Sequence, residues 1–364
     1  MKPSLTHLSG IAAAALAAMA CTACGGGDPV DTSLPGATDG TATSTASSCA
    51  DIADRWVVSE RGTYNCTPGG SSPIAQTGAV VMAQSGCNIS YTLAGVPRTG
   101  TVSGKSISAS GLFAIASSGA AVTVNRVDIT GQLSEDERSG NLHAVGKASG
   151  TLGGESQTCS SDTTASMTRC TDVAVAVMRG GATIPGTTTV IPQEASLNAI
   201  AADLAKIDPR RIVSRVFDSG VNPASQMASV KTWLQGLNAG CGKAPGVVLI
   251  GHSLGGYSAL NLSGVSGVCT RVSFDPFDIG LLLSLGLNQS SLAVSAPTDS
   301  HVINFAAAAQ NVFWGYRLTG AGLTQTVVAG SDHANLPTKV YQSPVDMALI
   351  VNATRNCLAA NRPQ

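Results

Sequence analysis

The residues best suited to chemistry lie at a predicted turn between a buried strand and a helix. Val247–Ile250 is a short, apolar, largely β-branched run, which is typical of a strand buried on both faces. Gly-His-Ser-Leu-Gly follows directly over residues 251–255, and an Ala/Leu-rich stretch of helical character comes next. Glycines around Ser253 allow strand and helix to approach closely and leave the serine hydroxyl accessible. This pattern predicts that Ser253 is a nucleophile.

The run Gly-His-Ser-Leu-Gly-Gly over 251–256 resembles the nucleophile segment of α/β-hydrolase lipases and esterases. The resemblance covers residues 168–360 at most. It implies an α/β-hydrolase fold, cleavage of carboxylic esters through an acyl-enzyme, and catalytic residues in the chain order Ser, then Asp or Glu, then His.

A serine hydroxyl needs a histidine to take its proton and an acid to orient that histidine. Two histidines follow Ser253. His301 begins a predicted strand, which places it at the edge of the sheet away from the chemistry. His333 lies just beyond the last predicted strand, at the catalytic edge. We therefore predict that His333 is the base.

The acid is chosen from five aspartates, because no glutamate follows Ser253. Asp346 falls in a predicted helix, Asp299 precedes its strand, and Asp332 adjoins His333 too closely to reach its far ring nitrogen. Asp275 and Asp278 remain.

Asp275 is preferred because it ends a strand and Pro276 fixes the following turn, and Asp278 is the alternative. In the commonest family arrangement the acid follows the next strand, but here residues 308–311 contain no carboxylate. The chain therefore departs from that arrangement.

An oxyanion hole requires two N–H donors aimed at the tetrahedral oxygen. The backbone N–H of Leu254, directly after the nucleophile, is the first. The second is expected from the glycines after the first predicted strand of the sheet, with Gly180 preferred to Gly181. This stretch is similar to the Arg-Gly turn of several lipase families.

The elements that must position these residues alternate between strands and helices from Cys170 onward, which predicts a parallel sheet with helices on both faces. Predicted strands are 173–178, 211–217, 247–250, 272–274, 301–307 and 323–328, and predicted helices are 194–207, 224–237 and 344–358. We expect an α/β-hydrolase domain of about six mostly parallel strands over residues 166–364.

A different pattern occupies residues 49–165. Alternating runs at 79–82, 88–93, 101–107 and 122–129 are separated by turn residues, which predicts a small all-β sandwich or barrel. A stabilising module or spacer is favoured over a ligand-binding domain, because neither an aromatic cluster nor a charged cage stands out.

The N-terminal segment is typical of export. Residues 1–24 carry one early lysine and a short apolar run, which suits a signal peptide. Cys24 before three glycines resembles the lipidated cysteine of a bacterial lipoprotein, with Cys21 as a weaker alternative. Residues 25–48 are predicted to be a flexible tether. The expected location is the bacterial cell envelope as an outer-membrane lipoprotein, or secretion if the cysteine is not lipidated.

Ten cysteines fit an exported protein, and eight remain when Cys21 and Cys24 are set aside. We predict four disulfides. In the β domain Cys66–Cys87 with Cys49–Cys159 is preferred among three possible pairings. In the catalytic domain, all four cysteines are expected at the edge of the sheet away from the site. The predicted disulfides there are Cys241–Cys269 and Cys170–Cys357.

Other function classes have little support in the sequence. Charged residues make up 12% of the chain and the net charge is −1, which gives no electrostatic case for binding nucleic acid. The sequence contains no metal-ligand set, phosphate loop or dinucleotide motif, so no cofactor and no metal are expected.

The substrate and several details stay open at this stage. An amidase or peptidase using the same residues and a non-catalytic envelope-binding lipoprotein are the alternatives. The apolar run 279–287 could line an acyl pocket, form a lid within 279–298, or simply pack on the sheet. The oligomeric state is not predicted.

Overall fold

The computed structural model describes residues 49–93, 95–113, 116–117, 120–152, 155–180, 193–218, 222–278, 292–308 and 315–362. The predicted signal peptide, Cys21, Cys24 and the tether lie outside these ranges, as do Gly181 and the run 279–287. Within the described ranges, no helix combines the length and the apolar character needed to cross a bilayer.

The first part of the described chain is an antiparallel barrel. Its strands are β1 (Asp54–Thr67), β2 (Gly70–Ser85), β3 (Asn88–Leu93), β4 (Val96–Ser103), β5 (Ser106–Phe113), β6 (Ala116–Ser117), β7 (Ala120–Leu133), β8 (Ser139–Leu152) and β9 (Glu155–Arg169). The sheet order is β5-β4-β3-β2-β1-β9-β8-β7-β6, and pairing of β5 with β7 closes eight strands into a barrel.

Alternation explains why this segment forms a barrel. Buried residues recur at every second position at the start of β1, where Trp56 and Val58 face an apolar interior that also contains Ile129 and Met167. The predicted alternating run at 101–107 is in fact divided by a turn, because Gly104 adopts a left-handed conformation between β4 and β5. The last barrel strand also extends past the boundary predicted at residue 165.

The second part is a sheet of six parallel strands in the order β11-β10-β12-β13-β15-β17. These strands are β10 (Val173–Met178), β11 (Ile212–Phe217), β12 (Gly246–His252), β13 (Val268–Phe274), β15 (His301–Ala307) and β17 (Leu323–Val328). A separate parallel pair joins β14 (Ala293–Ser295) to β16 (Arg317–Thr319). The predicted parallel α/β class is confirmed.

Helices cover both faces of the parallel sheet. They are α1 (Gln193–Ala205), α2 (Pro223–Leu237), α3 (Leu254–Asn261), α4 (Leu336–Gln342) and α5 (Pro344–Asn361). Val173, Val175 and Val177 of β10 pack into the same cluster as residues of α1, α4 and α5, whereas the alternate positions of β10 pack with residues of α2 and α3. Burial on both faces accounts for the unbroken apolar runs that predicted these strands.

Four disulfides join the eight predicted cysteines, but all four predicted pairings were wrong. The bonds are Cys49–Cys87, Cys66–Cys159, Cys170–Cys241 and Cys269–Cys357.

The sheet explains each correction. Cys66 of β1 stands directly opposite Cys159 of β9 in the strand register, which leaves Cys49 to the Cys87 turn. In the α/β part, Cys269 packs against the same apolar cluster as Cys357 of α5, whereas α2 packs in the cluster on the opposite face of the sheet. The face of the sheet that each helix covers therefore separates Cys357 from Cys241, which the shared edge alone could not do.

The two parts meet through buried charges. The Asp54 carboxylate at the start of β1 is fully buried and accepts from Arg169 Nη1 at 2.8 Å and from Arg211 Nε at 2.7 Å. Arg211 directly precedes β11 of the parallel sheet, and its Nη2 also donates to the backbone oxygen of Ala53. The barrel is thus joined to the end of the sheet where the parallel strands begin.

Candidate functional site

Ser253 occupies a strained turn between β12 and α3. Its backbone has φ 55° and ψ −121°, a left-handed conformation that non-glycine residues rarely adopt. A side chain at Gly251 would collide with the backbone of Gly255, and one at Gly255 would collide with the backbone of Met178. The two flanking glycines are therefore required for strand, turn and helix to approach one another, as the sequence pattern predicted.

His333 and Asp275 form the other half of the site, although they lie far apart in sequence. His333 Nδ1 is 2.5 Å from Asp275 Oδ2, and both side chains are about nine-tenths buried, with 11% and 10% exposed. Asp275 directly follows β13 with φ 44°, and its N–H donates to the Phe305 oxygen at 2.9 Å. A strained backbone held by a neighbouring strand thus aims this carboxylate at the ring.

Asp278 has different surroundings. Its charge contributes to raising the pKa values of Tyr257 and Tyr316, after the larger effect of burial on both phenols. Tyr257 belongs to α3 and Tyr316 packs in the apolar cluster around β14 and β16. The contact with the His333 ring that the structure describes is made by Asp275.

The loop that carries His333 is held by its own hydrogen bonds. The N–H of Asp332 donates to Asn335 Oδ1 at 2.9 Å, and the N–H of Asn335 donates to Asp332 Oδ1 at 2.8 Å. Ser331 is fully buried and its hydroxyl donates to the Val328 oxygen at 2.6 Å. Asp332 and Asn335 therefore hold the turn that carries His333.

Gly180 lies against Ser253. A side chain at Gly180 would collide with the backbone oxygen of His252, and its Cβ would stand only 2.6 Å from the Cβ of Ser253. Leu254 begins α3, so its N–H belongs to the first turn of the helix, where backbone donors have no partner within the helix. Both predicted oxyanion donors thus belong to residues beside Ser253, while Gly181 lies outside the described residues.

The remaining downstream candidates lie elsewhere. His301 is exposed at the start of β15, where its Nε2 is 3.0 Å from Thr324 Oγ1. Asp299 forms an ion pair with Arg271 at 2.8 Å. Both positions lie at the edge where parallel strands begin, which is the opposite edge from Ser253, Asp275 and His333.

His252 is the residue of the site that the sequence analysis missed. Its side chain is buried, and its Nε2 lies 2.8 Å from the backbone oxygen of His333. The two imidazole rings are 4.8 Å apart between centroids. The available signal was its position directly before Ser253, but no chemical pattern in the sequence marks the second residue of the motif.

No group of three or more histidine, cysteine or acidic side chains that could hold a metal ion occurs in the part of the chain that the structure describes. A surface cavity of about 450 Å³ is lined by Lys231, Lys243, Pro245 and Ser266 among others. It lies where β12 begins and α2 ends, so it is separate from Ser253.

Comparisons with known proteins leave the activity open. No protein-family model matches the chain, and no curated protein matches it. Among solved structures, an α/β serine hydrolase without a lid from Xanthomonas campestris is 12% identical, with a TM-score of 0.30 over 70% of this chain and 96% of its own. An α/β serine hydrolase homologue from Coxiella burnetii is 10% identical, with a TM-score of 0.30 over 67% of this chain and 96% of its own. Likenesses this distant do not establish an activity.

Proposed function

We propose that this protein is a serine hydrolase of the α/β-hydrolase type that cleaves carboxylic esters through Ser253, His333 and Asp275. The observation that carries the proposal is the contact of 2.5 Å between His333 Nδ1 and Asp275 Oδ2 at the same edge of the sheet as the strained turn of Ser253. A buried carboxylate on Nδ1 fixes the imidazole tautomer and leaves Nε2 to act as a base.

The proposed reaction proceeds through an acyl-enzyme. His333 Nε2 takes the proton of Ser253 Oγ as the oxygen attacks the ester carbon, and Asp275 stabilises the imidazolium that forms. The N–H groups of Leu254 and Gly180 are assigned to the oxyanion. The imidazolium then gives its proton to the leaving alcohol. A water molecule hydrolyses the acyl-enzyme by the same sequence of proton transfers.

Labelling with a fluorophosphonate probe tests whether the serine is activated before any substrate is known. The wild-type protein should be labelled, Ser253→Ala should not be, and His333→Ala should react at least about 10³-fold more slowly. His301→Ala is the matched control and should react like the wild type, because His301 lies at the opposite edge of the sheet. A wild-type protein that stays unlabelled would instead favour the non-catalytic binding function.

Ester and amide cleavage use the same three residues, so substrate profiling must separate them. We expect turnover of p-nitrophenyl acyl esters of graded chain length and little turnover of the matching p-nitroanilides. Preference for the anilides would move the assignment to an amidase or peptidase.

We also propose that the protein is exported and held at the bacterial cell envelope by a lipid on Cys24. The four disulfides within the described residues favour an oxidising compartment. Membrane fractionation and globomycin sensitivity of processing should both be lost in Cys24→Ser. An unmodified Cys24 on a soluble mature protein would remove the anchor and leave the hydrolase proposal unaffected.

A further inference from the structure

We propose that His252 is a positioning residue that holds the main chain of the catalytic base against the strand of the nucleophile. This inference rests on the proposed serine hydrolase function and assigns a role to the residue between Gly251 and Ser253. His252 ends β12 directly before the nucleophile, and the base lies 81 positions further along the chain.

A hydrogen bond connects the two histidines through the backbone. The 2.8 Å contact joins His252 Nε2 to the carbonyl oxygen of His333. A carbonyl oxygen only accepts, so Nε2 of His252 must carry the proton that is donated. The bond therefore fixes the tautomer of His252 with its proton on Nε2.

His252 is suited to act as a neutral donor. Only 2% of the residue is exposed, and its Nδ1 is buried with no hydrogen-bond partner in the part of the chain that the structure describes. Burial, followed by the effect of the neighbouring His333, holds the pKa of His252 well below its usual range. Uncharged, it can remain beside a base that becomes an imidazolium during the reaction without repelling it.

Two contacts then fix the base at different points. Asp275 holds the ring of His333 at Nδ1, and His252 holds the backbone oxygen of the same residue. Hydrogen bonds within the His333 loop hold its shape, and the His252 contact adds a bond from this loop to the strand that precedes Ser253. Misplacing a catalytic group by about 1 Å can cost on the order of 10²-fold in rate.

Substitutions that keep or remove the donor test this role. Gln at position 252 places its amide nitrogen near the original Nε2, whereas Asn is one methylene shorter and Met has no donor. We expect His252→Gln to keep kcat within about threefold, and His252→Met and His252→Asn to lower kcat by about 30- to 100-fold with KM nearly unchanged. Thermal unfolding and far-UV circular dichroism establish whether each variant is folded. If His252→Met does not fold, the comparison of His252→Asn with His252→Gln still tests the role of the donor.

The pattern of results separates positioning from general destabilisation. The inference would be overturned if His252→Gln and His252→Asn lost kcat equally. It would also be overturned if His252→Asn or His252→Met kept the kcat of the wild type. The acidic limb of kcat/KM against pH should stay in place in every folded variant, because a neutral residue adds no charge near His333. A shift of that limb by more than about one pH unit would show that His252 acts through its charge.

Fluorophosphonate labelling of the wild-type protein keeps this inference distinct from the proposed function. Without labelling of Ser253, the hydrolase proposal itself fails. If the wild type and His252→Met are both labelled rapidly, the role proposed for His252 is wrong and the hydrolase proposal stands.

Discussion

The barrel and the parallel sheet bury their strands in different ways, and this difference decides where chemistry can occur. At the start of β1 buried and partly exposed residues alternate, since one face of the barrel wall meets the interior and the other meets solvent. Every residue of β10 and of β12 is buried, because helices cover both faces of the parallel sheet.

Strand direction adds a second difference. Antiparallel neighbours alternate in direction, so the turns of the barrel are divided between its two ends. Parallel strands all end at one edge, which is where ligand and catalytic groups gather in such sheets. The ends of β10, β12, β13 and β17 lead to Gly180, Ser253, Asp275 and the His333 loop, respectively. The catalytic edge is therefore expected to carry activity, and the barrel to contribute stability.

Removing the carboxylate beside the His333 ring tests the chemical side of this comparison. Asp275→Asn should lower kcat by about 10⁴-fold with little change in KM, because an amide oriented against Nδ1 favours the wrong imidazole tautomer. Asp278→Asn is the matched control and should cost less than about tenfold, since Asp278 lies near Tyr257 and Tyr316. Steady-state kinetics on a p-nitrophenyl ester measures both variants, and the reverse ranking would move the acid to Asp278.

Structural features that are encoded by neighbouring residues could be predicted from the sequence, and features that depend on distant residues could not. Continuous apolar runs predicted the strands of the parallel sheet, and strand ends brought Ser253, Asp275 and His333 to one edge. The disulfide partners could not be obtained in this way, because all four cysteines of the α/β part share an edge, and the face of the sheet that each helix covers is not encoded locally.

Two further features depend on three-dimensional packing. The contact of His252 with the His333 backbone joins two residues by a bond that leaves no pattern in the sequence. Alternation predicted a small all-β sandwich or barrel, but closure into a barrel depends on the pairing of β5 with β7, which no periodicity specifies. Local sequence thus predicted the types of element, and non-local pairing decided how they were joined.

The next prediction concerns the charges that join the barrel to the sheet. Arg211→Met leaves the buried Asp54 carboxylate with one cation fewer, so unfolding free energy should fall by about 3–5 kcal/mol. Arg210→Met is the control, since its ion pairs are partly exposed and should be worth less than about 1 kcal/mol. Urea unfolding measures both, and kcat of the folded variants should be unchanged. A loss in Arg211→Met no larger than in Arg210→Met would show that this cluster does not stabilise the joined parts.

Removing one disulfide from each part compares the two regions directly. Cys66→Ala/Cys159→Ala and Cys269→Ala/Cys357→Ala open loops of similar sequence separation, 93 and 88 residues. Each should lower stability by about 2–4 kcal/mol. If the charged contacts couple barrel and sheet, both double variants should unfold in a single calorimetric transition. A separate low-temperature transition in the barrel variant alone would show that the barrel unfolds independently.

Asp172 lies just before β10, on the sheet side of the charged contact. The residue is 3% exposed, and its Oδ2 lies 3.7 Å from Arg211 Nε. Burial, and secondarily the Asp54 charge, raise the pKa of Asp172 to about 7, against the attraction of Arg211, Arg55 and Lys243. In the unfolded chain the carboxyl has its ordinary pKa of about 4.

The folded protein therefore binds a proton at Asp172 that the unfolded chain releases between about pH 4 and pH 7. This contribution to stability is fully present below the unfolded pKa and is lost as the pH rises through the folded pKa. Asn resembles the neutral acid, so Asp172→Asn should gain stability relative to the wild type between pH 5 and pH 8, by an amount on the order of 2 kcal/mol. Urea unfolding of both proteins at the two pH values measures this difference. If the unfolding free energies of the wild type and Asp172→Asn changed equally between the two pH values, Asp172 would be ionised in the folded protein. The arginines around Asp54 would then accommodate a second carboxylate.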